Sequence, residues 1–149
     1  MVCKLFGNLP AQALAGKLDF ETDDIYVALF TNELTINQDT NVYLSDVVGY
    51  DSYEVSGEGT EYVRKLLASK TNTYTADGNI TTLDAANIVW EDASFTARYA
   101  LFFKDVSGDP DPDTALLIGY ADFEADVAVT NGDFTLVPDA DGLFVFTVA

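Results

Sequence analysis

The hydrophobic positions of this chain change period soon after the start. Ala11, Gln12, Ala13, Leu14 and Ala15 are good helix formers. Asn8 precedes them as a suitable N-cap, Pro10 sits in the first turn, and Gly16 supplies a stop. The pattern therefore predicts a short helix as the first element. Ile25-Tyr26-Val27-Ala28-Leu29-Phe30 is then apolar at almost every position and bounded by polar turns, which predicts a buried strand. The stretch from Gln38 to Tyr53 is mixed, and Ser45-Asp46-Val47-Val48 predicts a second short helix.

From Arg64 onward the chain reads as strands and turns. Leu66 to Thr75 alternates, with threonine dominating one face, and Asp77-Gly78-Asn79 marks a turn. Ile88-Val89-Trp90 predicts a short strand, with Trp90 a core residue. Phe95 to Lys104 alternates cleanly: Phe95, Ala97, Tyr99, Leu101 and Phe103 on one face, Thr96, Arg98, Ala100, Phe102 and Lys104 on the other. That is the pattern of a half-buried antiparallel strand. Leu116–Phe123, Phe134–Val137 and Leu143–Val148 follow as strands, with turns at Asn131-Gly132-Asp133 and Asp139-Ala140-Asp141-Gly142. Asp-Gly between apolar runs predicts a hairpin from the last two strands. The expected fold is one mainly β domain over residues 1–149, an antiparallel β-sandwich or open barrel with one or two short helices in the N-terminal third.

Charge narrows the partners. The chain has 25 acidic and 7 basic residues and no histidine, for a net charge of −18. Nucleic-acid binding depends on Lys and Arg neutralising phosphates; Arg64, Lys65, Lys70, Arg98 and Lys104 are few and scattered. Neither nucleic acid nor an anionic membrane is an expected partner. No apolar run approaches the roughly 20 residues needed to span a bilayer, and no secretory signal opens the chain. The expectation is synthesis in the cytoplasm, in soluble form.

Candidate chemistry is sparse. Without histidine, Ser-His and Cys-His catalysis and the usual catalytic zinc sites are excluded. No P-loop or Gly-x-Gly-x-x-Gly occurs, and Gly57-Glu58-Gly59 reads as a turn. Paired carboxylates could run glycoside hydrolysis, but in so acidic a chain some pair falls at a suitable distance by chance. No catalytic residue and no cofactor is expected. Asp109, Asp111 and Asp113 place carboxylates at every second position, as in a calcium loop, and Asp139 to Asp141 could share an ion if the fold brought it close. The EF-hand pattern then fails at Thr114, where glycine is required, and at Tyr120, where a bidentate glutamate is required. A solvated acidic loop is the simpler reading. Cys3, the single cysteine, reads as a small buried hydrophobe. Tyr43, Tyr50, Tyr53, Tyr62 and Tyr74 suit either packing or, if exposed, carbohydrate stacking and protein interfaces.

One series of motifs is more specific. Glu54-Val55-Ser56-Gly57-Glu58-Gly59-Thr60-Glu61-Tyr62-Val63-Arg64-Lys65-Leu66-Leu67-Ala68-Ser69-Lys70-Thr71 is followed by Leu83-Asp84-Ala85-Ala86-Asn87-Ile88-Val89-Trp90. Phe95 to Lys104, Leu117-Ile118-Gly119-Tyr120-Ala121-Asp122-Phe123 and Val129-Thr130-Asn131-Gly132-Asp133-Phe134-Thr135 come next. In this order they resemble a family of small β proteins of tailed-phage and prophage structural gene clusters, whose members also open with a short helix, an acidic turn and an Ile-x-Val-Ala-Leu strand. The resemblance covers nearly the whole chain. Two departures are Arg64-Lys65, where the family has a glycine pair, and the Asp-Pro-Asp-Pro loop. The resemblance implies a virion component made in the bacterial host cytoplasm. A capsid decoration (cement) protein on the capsid exterior is the foremost expectation, its partners being the major capsid protein and copies of itself, as a homo-oligomer with a trimer favoured. A neck, tail or fibre component is the alternative within the same class, and a carbohydrate-binding module the alternative outside it.

Overall fold

The computed structural model describes residues 1–105 and 111–148. The elements are β1 (Val2–Leu5), α1 (Leu9–Leu14), β2 (Ile25–Phe30), β3 (Lys65–Leu66), β4 (Thr71–Thr75), β5 (Ile80–Asp84), β6 (Ile88–Lys104), β7 (Leu116–Leu136) and β8 (Phe144–Thr147). One antiparallel sheet has the order β1-β7-β6-β2-β3 and a second the order β4-β5-β8. The fold is mainly β and sandwich-like, as its apolar alternation predicts, with one short helix in the N-terminal third.

The larger sheet is covered on both faces. On one side, Ile25, Val27, Leu29, Trp90, Phe95, Phe102 and Ile118 pack with Leu83 and Phe144 of the smaller sheet and with Leu9 of α1. On the other, Ala28, Phe30, Leu101, Phe103 and Leu117 pack under Leu34, Leu44 and Val47. The covering segment has little regular structure and is fixed by side chains bonding backbone. Asn41, buried, accepts from the Asn37 N–H at 2.7 Å and donates to the Asp46 carbonyl at 2.7 Å. The Asp46 carboxylate accepts from the Val42 and Tyr43 N–H groups, both at 2.9 Å. Such local bonds satisfy backbone groups that have no ladder to join. The second predicted helix is here a single 3₁₀ turn, Leu44–Asp46.

Several expectations are corrected. The chain opens with a strand, not a helix: β1 pairs with β7, Val2 opposite Asp122 and Leu5 opposite Gly119. Asn8 stands before α1 but does not cap it; its Oδ1 accepts from the Gln12 side-chain amide at 3.1 Å. Gly16 does stop the helix. At φ +76° it donates to the Ala13 carbonyl, and Lys17 donates to that of Gln12, which is a Schellman close. Leu66–Thr75 is not one strand. β3 pairs with β2 and β4 with β5, so residues 67–70 cross between sheets, with Ser69 at φ +52°.

The long strands hold the largest correction. Ile88–Trp90 and Phe95–Lys104 form one strand, as do Leu116–Phe123 and Phe134–Leu136, and Asn131 is a bulge rather than a turn. Register shifts lie between Trp90 and Ala93 and between Ala97 and Tyr99, with Asp92 at φ +51°. Each slip moves the side chains to the other face. Trp90, Phe95, Ala97, Ala100 and Phe102 therefore share one face, while Leu101 and Phe103 lie on the opposite one. The strand is buried on both faces near its C-terminal end, not half-buried. The final hairpin is also absent: β8 pairs with β5, and Asp139–Gly142 is a corner leading from one sheet to the other. Pro138 has no N–H to continue the β7 ladder, so the chain leaves the sheet there.

Candidate interaction surface

Two clusters of charged side chains in this fold are internally paired. Glu54 Oε1 accepts from the Tyr62 hydroxyl at 2.7 Å and from Arg64 Nε at 2.8 Å; Oε2 accepts from an Arg64 terminal nitrogen at 2.7 Å. The Leu29 N–H donates to the Tyr62 hydroxyl oxygen at 3.0 Å. The Arg64 guanidinium lies over Phe103, 5.4 Å from the ring centroid. This bidentate pair ties the 54–64 segment to the sheet edge. Lys104 is likewise occupied, with Asp23 at 2.7 Å and the Lys17 carbonyl at 2.9 Å.

The calcium candidates do not assemble. Asp109 lies outside the described residues. Asp111 and Asp113 are exposed, and Asp111 Oδ1 accepts from the Asp113 N–H at 3.0 Å, which closes a turn. Asp139 accepts from the Ala140 N–H at 2.8 Å and borders a different cleft, beside Met1 and Cys3. No group of three His, Cys, Asp or Glu among the described residues could hold a metal ion. Of the five tyrosines, Tyr62 is buried, Tyr43, Tyr50 and Tyr53 are half-buried, and Tyr74 is exposed.

Burial pushes the Cys3 thiol from its ordinary 9.0 up to about 11. Burial also pushes the Tyr62 phenol up, with Glu54 adding to the effect. Both groups hold their protons more tightly folded than unfolded: the Cys3 contribution is complete below pH 9 and is lost as pH rises through 11, while that of Tyr62 is complete below pH 10 and only begins to fall above it. The urea midpoint is expected to fall between pH 8.5 and 11, and iodoacetamide at pH 8 is expected to label Cys3 far more slowly in the folded chain than in urea.

The surface feature that stands out is apolar. A groove of about 370 Å³ runs between α1 and the smaller sheet, lined by Leu9, Ala13, Leu14, Leu18, Phe146 and Val148 among others. None of its lining side chains is charged, in a chain of net charge −18. Leu14 is 91% exposed and Val148 60%. The short helix creates this. Leu9 turns into the core, and Leu14, five residues on, falls off that stripe onto open surface. Beyond the groove the smaller sheet projects from the core: residues 71–79 are all exposed. The threonine-rich face up to Thr75 and the exposed Tyr74 belong to this projecting sheet, whereas the groove has no contiguous sequence signature. The available signals were the off-stripe leucine and the uncharged run Thr71-Asn72-Thr73-Tyr74-Thr75. No helix among the described residues is long and apolar enough to cross a membrane.

The chain matches no protein-family model, no curated protein and no solved structure. Its class is therefore defined by architecture: a two-sheet antiparallel β protein with an uncharged apolar groove on an acidic body.

Proposed function

We propose that this chain is a bacteriophage structural protein, a capsid decoration (cement) protein that binds the outside of the major capsid protein lattice as a homotrimer and stabilises it. The order of motifs from Glu54 to Thr135 supports the reading by resemblance. The structural observation that carries it is the uncharged groove beside α1. Apolar surface left open on a soluble chain marks an interaction site. Docking by this end would leave the acidic remainder facing solvent, away from packaged nucleic acid. Each contact need supply only a few kcal/mol, because many copies act together across subunit seams.

Quantitative mass spectrometry of purified particles is expected to find hundreds of copies of the chain. A handful would make it a neck, tail or fibre component; absence from the particle, or turnover of a substrate by the isolated chain, would refute the proposal. Leu14→Lys is expected to leave folding stability within about 0.5 kcal/mol, since the side chain is exposed. The same change is expected to abolish co-sedimentation of the purified chain with undecorated capsids.

A further inference from the structure

Strand β4 is an open sheet edge of unusual composition. Thr71, Asn72, Thr73, Tyr74 and Thr75 are all exposed, and none carries charge. β4 is the outer strand of the β4-β5-β8 sheet. Natural edges are normally protected by lysine, proline, a bulge or a covering segment, because unpaired N–H and C=O groups recruit another strand. β4 has no lysine or proline within it and runs in regular register with β5 from Thr71↔Asp84 to Thr75↔Ile80.

Its protection comes from outside. The Asn72 N–H donates to the Glu21 carboxylate at 3.2 Å. Asn72 therefore directs its backbone groups away from β5. By the two-residue period of an antiparallel ladder, so does Tyr74, while Thr71, Thr73 and Thr75 bond to β5.

We infer that β4 is a self-complementary edge through which two copies of this chain join into a continuous six-stranded antiparallel sheet, with Glu21 holding the edge closed in the single chain. A two-fold axis at Thr73 places Asn72 opposite Tyr74 of the second copy, and Tyr74 opposite its Asn72. These are the two residues whose backbone groups point outward, so the hydrogen-bonding parity is satisfied without a shift. The same axis sets Thr73 on Thr73 and Thr71 on Thr75, cross-strand threonine pairs of the favourable kind. Charge selects the occupant. A second copy carries the same −18, so it can approach only where like charges do not face each other, and once Glu21 leaves Asn72 the β4 edge presents five consecutive uncharged residues. The contact is isologous. It is separate from a three-fold seam and does not rest on the particle assignment.

An edge contact is small, so self-association belongs at submillimolar to millimolar concentration. Off the capsid lattice, sedimentation equilibrium of the full chain is expected to show a monomer–dimer equilibrium that tightens with added salt. Glu21→Ala is expected to tighten it about tenfold, since one charge-assisted bond in each copy no longer competes. Tyr74→Pro is expected to abolish it. That proline removes an outward donor only, so β4–β5 pairing and the far-ultraviolet circular dichroism should be retained. Disulfide capture of a Cys3→Ser/Thr73→Cys variant reads the register directly. Monomers throughout, including Glu21→Ala, would overturn the inference, as would a dimer indifferent to Tyr74→Pro. So would a monomeric chain whose binding to capsids is lost in Tyr74→Pro, which would assign the edge to a foreign strand.

Discussion

Replacing Trp90 by alanine is expected to remove about 3–5 kcal/mol of folding stability, the range for truncating a buried aromatic. Trp90 is fully buried in the middle of the larger core. Its ring stacks on Tyr62 with centroids 6.5 Å apart and an interplanar angle of 19°, and meets Phe134 edge-on at 5.7 Å. Its indole N–H donates to the Val63 carbonyl at 2.7 Å. Alanine thus deletes packing on several sides and leaves that carbonyl without its partner. Against a typical total of about 5–15 kcal/mol, the loss is roughly a fifth of the stability or more. Trp90→Phe keeps most of the volume and is expected to cost about 1–3 kcal/mol, chiefly for the unmade hydrogen bond. Urea denaturation followed by circular dichroism checks both values. Trp90 is the single tryptophan, so its own fluorescence cannot report on the variants. A cost below about 1 kcal/mol for Trp90→Ala would mean that this core is not packed as described.

Tyr62 and Val63 explain why Trp90 has this weight. They belong to the segment that Glu54 and Arg64 clamp to the edge of the sheet. Tyr62 also meets Phe95 edge-on at 6.0 Å. The outer segment is thereby joined to the long β6–β7 pair through aromatic contacts, while the clamp fixes its direction. Trp90 is the residue at which both meet.

The fold was legible where local pattern and tertiary environment agree. Ile25–Phe30 reads as a buried strand because both of its faces pack into apolar clusters. Trp90 reads as core for the same reason. Legibility failed where distant residues decide. Val2–Leu5 is too short to announce a strand, and its partner, Gly119–Asp122, lies more than a hundred residues away. The face of Phe95 and Ala97 was misassigned because strict alternation assumes an unbroken ladder, whereas the shifts beside Asp92 and Arg98 arise from pairing with β7. Asp139–Gly142 carries a strong hairpin signal, but Pro138 ends the ladder before the turn and β5 offers Phe144–Thr147 a different edge. The acidic balance and the lack of histidine were plain from composition. The groove was not, because its walls come from the N-terminal helix and the C-terminal strand and meet only in the folded chain.

Gly119→Ala is expected to be strongly destabilising for a change of a single methyl group. Gly119 lies on β7 opposite Phe102, with β1 on its other side. Its conformation does not demand glycine; the space does. A Cβ there would lie 2.4 Å from Phe144 Cε1 and 2.7 Å from the Lys4 carbonyl oxygen. Phe144 is buried and crosses Phe102 edge-on, with centroids 5.1 Å apart at 88°. With Leu83, it is a side chain by which the smaller sheet rests on the larger. The ring cannot swing aside without vacating that contact, and the Lys4 carbonyl belongs to the β1 ladder. A methyl group at 119 must therefore spread the two sheets or detach β1. Overpacking of a well-filled core costs about 1–3 kcal/mol, and with two rigid neighbours the upper end applies. Phe144→Leu alone opens a cavity and is also destabilising. Combined with Gly119→Ala, it removes the ring atoms the new methyl would strike. The double variant is expected to be more stable than the sum of the two losses predicts, by about 1 kcal/mol or more. Thermal melts of the four proteins in that cycle measure the coupling. Strict additivity would show that Gly119 and Phe144 do not touch, and that the sheets close elsewhere.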